Sequence, residues 1–458
     1  MFHPSRSPLP GIVIALAVAL ALAGFGHSTA LVVTATVGVL CICWWVFEPI
    51  PIPVTSLLPL SLMPLFGVLT PAETAQAYGS PLILLLLGGF LLSRGMESSG
   101  AHQRLALGVV NLVGSHSPRR LIFGFMIAGA CLSMWISNTA TVLMLVPVAL
   151  AVIHSSDDPK KLAPPLLLGL AWACSIGGIG TPIGTPPNLI LMQVYEEVFG
   201  ESIGFTQWMR WGLPIVITLV PLVGLWLTRG LPDRLSVSLP AVGQWRSAER
   251  RVLIIFALTA LAWMTRAEPF GGWRAWSGLE SANDASVAFL AVIALFLVRD
   301  AERKPLISWE QAQTIPWGVL LLFAGGICLA KASVASGLSG LAGEAMTGVT
   351  ALPPIVMLLM LCLLVTFITE ATSNTATTAL LMPILAAAAL ASDVEPLLLM
   401  LPAAMSASCA FMLPVATAPN AVVYGTDLLT ISRMAREGVV ANVLGAAVIS
   451  GFIYWALV

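Results

Sequence analysis

Long apolar stretches alternate with short polar segments from one end of the chain to the other. Most of these stretches approach the roughly 20 residues that a helix needs to cross a bilayer. They begin with Gly11–Phe25 and about Thr29–Phe47, and they end with Val439–Ala456. The two-residue alternation of an outer-membrane barrel strand is missing from them. The pattern predicts an all-α integral membrane protein of about eleven transmembrane helices.

Two stretches of the first half do not fit a single straight span. Leu121–Ile153 is about 33 residues long with polar residues near its middle, which predicts a re-entrant hairpin of two short arms at about 121–153. Leu162–Val194 is interrupted at Gly177–Asn188 by three prolines and four glycines. A continuous helix does not tolerate these residues so densely, so we expect a broken helix at about 162–194. The second half repeats this order, with a hairpin at about 353–390 and a broken helix at about 396–424.

The middles of the two hairpins have related sequences. Ser133–Pro147 and Thr369–Pro383 agree at seven of fifteen positions when aligned. Polar groups cannot stay unpaired in hydrocarbon, so each cluster must face protein, water or a bound solute. Polar residues that merely join helices are common in membrane proteins, but two copies at corresponding places favour a binding role. The shared positions are Ser137/Ser373, Asn138/Asn374, Thr139/Thr375, Ala140/Ala376, Thr141/Thr377, Leu145/Leu381 and Pro147/Pro383.

Positive charge predicts how the chain crosses the membrane. With a cytoplasmic N-terminus, eleven spans and two re-entrant hairpins, seventeen of the 21 Lys and Arg residues fall on the cytoplasmic side, as the positive-inside rule requires. The repeats then begin on opposite faces and are inverted, an arrangement in which helix breaks meet at mid-membrane to form a binding site. We expect an extra N-terminal helix at 1–28 and inverted repeats at 29–235 and 236–458. The four remaining cations are Arg210, Arg266, Arg274 and Lys331.

Composition narrows the possible functions. The chain is 58% hydrophobic and 9% charged, with a formal net charge of −1, whereas a soluble domain carries about 25% charged residues. The charge argues against a nucleic-acid partner. The sequence lacks the paired acids, mid-membrane His or Cys–His pair that would indicate an intramembrane enzyme. It also lacks the filter-like loop that would indicate a passive channel.

The polar clusters suit a cation and an anion together. Hydroxyl, amide and unwound backbone oxygens can replace the water around Na⁺, and helix N-termini favour anions. No Arg or Lys lies in the four unusual stretches, so bound Na⁺ would have to offset much of an anion's charge. Glu370, three residues before Ser373, is either a brace for the hairpin or a coupling carboxylate, and the sequence of repeat one, with Met134 there, favours a brace.

These motifs resemble the divalent-anion:sodium symporter family of dicarboxylate, citrate and sulfate carriers. The paired Ser-Asn-Thr hairpins, with Gly-Thr-Pro-Pro-Asn ending at Asn188 and Ala-Thr-Ala-Pro-Asn ending at Asn420, carry the resemblance over essentially the whole chain. It implies a homodimer, each protomer with a scaffold and an elevator-type transport domain. We expect the protein to lie in a bacterial inner (plasma) membrane. Ala418 departs from the family pattern, which has proline there, as Pro186 does in repeat one.

The resemblance also implies the roles of individual residues. It places one Na⁺ at Ser133, Ser137, Asn138 and Gly184, and a second at Thr369, Ser373, Asn374 and Ala416. It places substrate against Asn138, Thr139, Asn374, Thr375 and Thr417. The leading hypothesis is Na⁺-coupled symport of a C4-dicarboxylate such as succinate, malate or fumarate. The alternative is a Na⁺-independent exchanger of dicarboxylates or other anions on the same fold.

Overall fold

Prolines, glycines and capping residues divide the apolar stretches into helices. The computed structural model describes residues 7–114, 117–231, 243–268, 271–345, 352–392 and 394–458. Arg6 and Arg234, two of the predicted cytoplasmic cations, and the predicted repeat boundary at 235/236 lie outside these residues. The described helices are Leu9–Gly24 (α1), Thr29–Phe47 (α2), Ile52–Thr55 (α3), Leu58–Leu65 (α4), Pro71–Tyr78 (α5), Pro81–Ser99 (α6), Ala101–Val113 (α7), Pro118–Ser133 (α8), Asn138–His154 (α9), Pro159–Gly177 (α10), Pro186–Phe199 (α11), Phe205–Thr228 (α12), Ser247–Met264 (α13), Gly272–Trp276 (α14), Asp284–Leu297 (α15), Trp309–Ala312 (α16), Trp317–Ser336 (α17), Leu338–Ala345 (α18), Pro354–Thr369 (α19), Asn374–Leu390 (α20), Pro396–Ala407 (α21), Ala418–Tyr424 (α22) and Ile431–Leu457 (α23).

Helices are the regular secondary structure of the described residues, apart from an isolated β-bridge between Arg299 and Pro305. Six of the described helical segments are long and apolar enough to cross a bilayer, and several other apolar helices are 10–17 residues long. The all-α membrane fold is therefore confirmed. The number of eleven spans stays a prediction, because a membrane crossing by the shorter helices depends on how they lie in the bilayer.

Each predicted hairpin is two helices joined by a short turn. The arms α8 and α9 have 16 and 17 residues, and α19 and α20 have the same two lengths. At 1.5 Å per residue an arm is about 24–26 Å long, which is short of the roughly 30 Å hydrocarbon core. Prolines start α8 and α19, where their missing N–H costs nothing. The arms end at the two Ser-Asn-Thr turns.

The two broken helices lie inside the protein. All sixteen residues from Leu162 to Gly177 are buried, and α21 is buried from Leu397 to Ala407. In repeat one the helix continues as a single 3₁₀ turn, Gly178–Gly180, before the chain unwinds. Irregular backbone at membrane depth is tolerated where protein surrounds it. The interior position of these helices therefore allows their carbonyl groups to be exposed to a bound solute.

Ion pairs link segments that the charge count places on the same side of the membrane. Arg104 Nε donates to Glu249 Oε2 at 2.8 Å across the predicted cytoplasmic side. Lys331 Nζ lies 3.2 Å from Glu197 Oε1 on the predicted outer side. Both pairs agree with the expected arrangement of the loops, whose orientation in the membrane remains a prediction.

Candidate functional site

The two hairpin tips meet at one cavity. Its volume is about 660 Å³, and both hairpins and both broken helices line it. Ser133 and Thr369, which we expected to bind Na⁺, do not line it but lie fully buried behind the tips. The other expected residues do line the cavity; they are Ser137, Asn138, Thr139 and Gly184 from repeat one, and Ser373, Asn374, Thr375, Ala416 and Thr417 from repeat two.

Ser133 and Thr369 contact the asparagines of their own tips. Ser133 Oγ donates to Asn138 Oδ1 at 2.5 Å, and Thr369 Oγ1 donates to Asn374 Oδ1 at 2.8 Å. Thr369 Oγ1 also lies 3.2 Å from the Ala407 carbonyl oxygen. Each tip therefore gathers a hydroxyl and an amide oxygen at one point, five residues apart in the chain, which is the kind of oxygen cluster that Na⁺ requires.

Ser137 and Ser373 are helix N-caps that do not cap with their side chains. Serine at this position ordinarily accepts a hydrogen bond from the N–H of N2 or N3, but neither side chain forms such a bond here. Both hydroxyls line the cavity instead. The Ser137 and Ser373 oxygens are therefore available to a bound cation.

The tips also present two helix N-termini to the cavity. The first in-helix bonds are donated by Thr141 N to the Ser137 carbonyl at 3.0 Å, and by Thr377 N to the Ser373 carbonyl at 2.8 Å. The three N–H groups before each of these donors have no hydrogen-bond partner in the part of the chain that the structure describes. Free N–H groups and the helix dipole both favour an anion. Two such N-termini suit a solute with two anionic groups.

The unwound segments are held by equivalent asparagines, 232 positions apart. Asn188 Nδ2 donates to the Gly178 and Thr181 carbonyls at 2.8 and 2.7 Å. Asn420 Nδ2 donates to the carbonyls of Ala410 and Leu413 at 3.0 Å each. Both asparagines are fully buried. Both lie in the predicted motifs without a predicted role; in the structure they fix the carbonyl groups of the breaks.

Gly184 is packed where no side chain would fit. A Cβ on this residue would lie 2.4 Å from the Gly178 carbonyl oxygen. A Cβ on Gly178 would in turn lie 3.0 Å from Asn138 Oδ1 and 3.2 Å from the Gly184 carbonyl oxygen. The break of repeat one therefore lies directly against its hairpin tip. The hydroxyl, amide and carbonyl oxygens at this junction fit an alkali cation.

Glu370 holds the unwound backbone of repeat two through hydrogen bonds. Its buried carboxylate accepts hydrogen bonds from the N–H groups of Phe411, Met412 and Leu413 at 2.7, 2.8 and 3.0 Å. Asn442 Nδ2 in α23 donates to the same carboxylate at 2.8 Å. The structure thus gives Glu370 the geometry of a brace. Asn442 was not among the predicted site residues; its signal in the sequence was a lone amide in an apolar helix.

A second cavity, of about 570 Å³, continues from the first. They share five lining residues, Ser137 and Thr139 among them, and the second reaches Arg94, Glu97 and His102 at the predicted cytoplasmic ends of their helices. Arg94 is ion-paired with Glu97. Burial lowers the pKa of His102 below its ordinary value, so its imidazole is neutral at pH 7. Arg94 is therefore the cation of this passage among the residues that line it.

The 660 Å³ cavity itself has no lysine or arginine in its described lining. Its one charged lining residue is the exposed Glu48, at the end of α2. An anion at the hairpin tips would thus be held by N–H groups, hydroxyls and amides alone, unless cations entered with it.

Comparisons with known proteins agree with this architecture. The model of the Citrate transporter family matches residues 42–404. The sodium-dependent dicarboxylate transporter SdcS of Staphylococcus saprophyticus is 41% identical over 436 residues, covering 90% of this chain and 83% of that protein. SdcS of Staphylococcus aureus is 38% identical over 438 residues, with 90% and 84% covered.

Two solved structures share the fold. The YdaH transporter of Alcanivorax borkumensis has a TM-score of 0.58 at 15% identity, with 84% of this chain and 88% of that chain covered. MtrF of Neisseria gonorrhoeae has a TM-score of 0.56 at 15% identity, with 83% of each chain covered. The first is described as a transporter and the second within a class of efflux pumps, and at this identity the likeness concerns the fold alone.

The family model spans more than half of the chain, and the relatives match most of its length. The protein is therefore an integral membrane transporter and not an enzyme. It belongs to the divalent-anion:sodium symporter family that its paired Ser-Asn-Thr motifs resemble.

Proposed function

We propose that this protein is a Na⁺-coupled symporter of a C4-dicarboxylate, such as succinate, malate or fumarate. The observation that carries the proposal is the pair of helix N-termini, one from each repeat, that open into a single cavity lined by Ser-Asn-Thr side chains. The names of the SdcS relatives, which refer to sodium and dicarboxylates, support the same class of substrate.

Two N-termini explain a dianion better than a monoanion. Each carboxylate of the substrate would accept hydrogen bonds from the N–H groups at the start of α9 or α20, and from Thr139 or Thr375 beside them. The Thr417 hydroxyl accepts a hydrogen bond from Asn420 N at 3.2 Å, so its proton is free to be donated to substrate. No Lys or Arg side chain lines this cavity among the described residues, so Na⁺ is needed to neutralise the remaining charge of the anion.

Each Na⁺ would lie at the junction of a tip and a break. The first would take oxygens from Ser133, Ser137, Asn138 and the Gly184 carbonyl; the second would take them from Thr369, Ser373, Asn374 and the Ala416 carbonyl. Hydroxyls, amides and carbonyls are hard, neutral oxygen donors that suit such a cation. Coupling follows because a cation-free site would leave the dianion badly solvated.

The two hairpins, the two broken helices, α12 and α23 would together form the domain that moves in an elevator cycle, and the remaining helices would form the scaffold of a homodimer. This conformation would be open to the cytoplasm, since the passage ends at Arg94, Glu97 and His102. Placing those residues on the cytoplasmic side of a bacterial inner membrane agrees with the Lys and Arg count.

Uptake by proteoliposomes tests the proposal. We expect labelled succinate to accumulate when external NaCl faces a Na⁺-free lumen, and to fail to accumulate when choline replaces Na⁺. Unlabelled malate and fumarate should compete, whereas a monocarboxylate of similar size should not. Transport that is equally fast in choline and accelerates with unlabelled dicarboxylate in the lumen would overturn symport in favour of the Na⁺-independent exchanger.

A further inference from the structure

A basic cavity lies at the predicted cytoplasmic ends of three helices, among residues that have no part in the proposed transport site. It has a volume of about 310 Å³, within the range of small ligand pockets. The start of α10, the end of α12 and the start of α23 meet there. Its charged lining residues are the cations Lys160, Lys161, Arg229, Arg433 and Arg436, with the carboxylate Glu437.

The cations of this cavity are only partly neutralised. Glu437 accepts from Arg229 Nη2 at 2.8 Å, and Asp158 lies 3.0 Å from Lys161 Nζ. Among the described residues, no carboxylate forms an ion pair with Arg433 or Arg436, although both arginines lie on the first turns of α23. The N-termini of α10 and α23, helices of 19 and 27 residues, add partial positive charge. The cavity is therefore suited to a phosphate group.

The surface next to the cavity is apolar. Leu225 and Leu222 lie four and seven residues before Arg229, on the same face of α12, and their side chains are 52% and 36% exposed. On α23, Val443 lies seven residues after Arg436, on the same face, and is 48% exposed. Residues spaced by about one or two helical turns share a face, so exposed apolar side chains continue from the cationic cavity toward the membrane interior.

We infer that this cavity binds the phosphate head group of an anionic phospholipid, with the acyl chains lying along α12 and α23. Basic pockets between helices on the cytoplasmic side are suited to such head groups. A free phosphate ion would share the head-group chemistry but would not contact the exposed apolar side chains Leu222, Leu225 and Val443. These side chains therefore favour lipid over free phosphate, and the test separates the two.

The test measures lipid retained by the purified full chain in a non-ionic detergent. Native mass spectrometry would follow titration with phosphatidylglycerol, with phosphatidylcholine of the same acyl chains, and with inorganic phosphate. We expect one phosphatidylglycerol per protomer to be retained in preference to phosphatidylcholine. The double variant R433Q/R436Q should bind it about 30-fold more weakly, since each cation near an anionic surface contributes a factor of about five.

The matched control is R119Q/R120Q, which removes two exposed cations from the first turn of α8, outside the cavity. It should bind phosphatidylglycerol as the wild type does. If R433Q/R436Q does not fold, the single variant K160Q on α10 should still weaken retention about fivefold. Equal retention by wild type and all cavity variants would overturn the inference. Binding of inorganic phosphate without preference for phosphatidylglycerol would overturn the lipid assignment.

Discussion

The break of repeat one, around Gly178–Gly184, and the break of repeat two, around Ala410–Ala416, share one hydrogen-bond frame. In each, an asparagine four residues past the cavity-lining carbonyl donates to two carbonyls of the unwound chain. In each, a hydroxyl five residues before the tip asparagine donates to its oxygen. These bonds recur in both halves of the chain because they hold equivalent groups at the site.

The two repeats differ in how the backbone N–H groups at the break are paired. Repeat one continues from α10 through a 3₁₀ turn, Gly178–Gly180, before the chain unwinds. In repeat two the N–H groups of Phe411, Met412 and Leu413 lie in the unwound segment after α21. That of Phe411 also donates to Asn442 Oδ1 at 3.2 Å, but those of Met412 and Leu413 have no second acceptor among the described residues. The Glu370 carboxylate accepts all three. At the corresponding place Met134 contributes a backbone carbonyl, which accepts from Thr181 Oγ1.

The two predicted cation sites are therefore not electrostatically equal. Glu370 follows Thr369 directly, and its charge has no ion-pair partner among the described residues. Coulomb attraction is strong in a low-dielectric interior, so a fixed carboxylate beside the predicted cation site of repeat two should favour a cation there. Repeat one has no carboxylate in the corresponding position. We expect the second site to bind Na⁺ more tightly than the first.

The largest effect should come from breaking the shared frame. Asn188→Asp and Asn420→Asp keep the side-chain shape, but each replaces a double donor with an oxygen that faces two buried carbonyls. Leaving such groups unpaired costs roughly 1–3 kcal/mol each, and a buried negative charge adds to this. Neither variant should show measurable dicarboxylate uptake in proteoliposomes, and both should unfold at lower temperature. If only one of the two variants lost activity, the hydrogen-bond frames of the two repeats would not be equivalent.

The next effect should separate the repeats. Glu370→Gln replaces one acceptor oxygen with a donor that faces backbone N–H groups, and it removes the charge that strengthens the other bonds. Hydrogen bonds to charged groups contribute about 1.5–3 kcal/mol each, so we expect a loss of about 3 kcal/mol or more in stability. Thermal unfolding in detergent, followed by tryptophan fluorescence, would measure it.

Met134→Leu is the matched control for Glu370→Gln. It changes the equivalent residue of repeat one at nearly constant volume, and such swaps usually cost less than about 1.5 kcal/mol. Stability and uptake should therefore remain close to those of the wild type. If Glu370→Gln is as mild as Met134→Leu, the brace is not needed to hold the break.

Some of this arrangement could be predicted from sequence and some could not. The hairpins and breaks were predictable because prolines, glycines and polar clusters interrupt apolar sequence. The bond from Asn442 to Glu370 was not, because the two residues are 72 positions apart and no local pattern links them. The amphipathic helix α7 was not among the predicted elements. Its buried Ala106 and Val110, one turn apart, were the signal that could have revealed it.

A smaller effect, limited to the affinity for the dicarboxylate, is expected from two threonines of the predicted substrate site. Thr139→Val and Thr375→Val remove a cavity-lining hydroxyl at similar volume. A hydrogen bond to a charged group contributes about 1.5–3 kcal/mol, so dicarboxylate affinity should fall by roughly 10- to 150-fold while thermal stability stays unchanged. Competition by unlabelled succinate at saturating Na⁺ would measure the affinity. Unchanged affinity in both folded variants would exclude these threonines from the substrate site.

The smallest effect tests the inequality of the cation sites. Ser137→Ala and Ser373→Ala each remove one hydroxyl that has no capping bond to lose, and a neutral ligand of this kind contributes about 1 kcal/mol, or a factor of about five in affinity. The weaker site governs the Na⁺ concentration for half-maximal transport, so Ser137→Ala should raise that concentration about fivefold, and Ser373→Ala should raise it less. Dicarboxylate affinity should recover in both variants at saturating Na⁺, because linkage makes cation and anion binding reinforce each other. The measurement is initial uptake against Na⁺, with choline maintaining ionic strength. A larger shift for Ser373→Ala than for Ser137→Ala would contradict the role given to the Glu370 carboxylate.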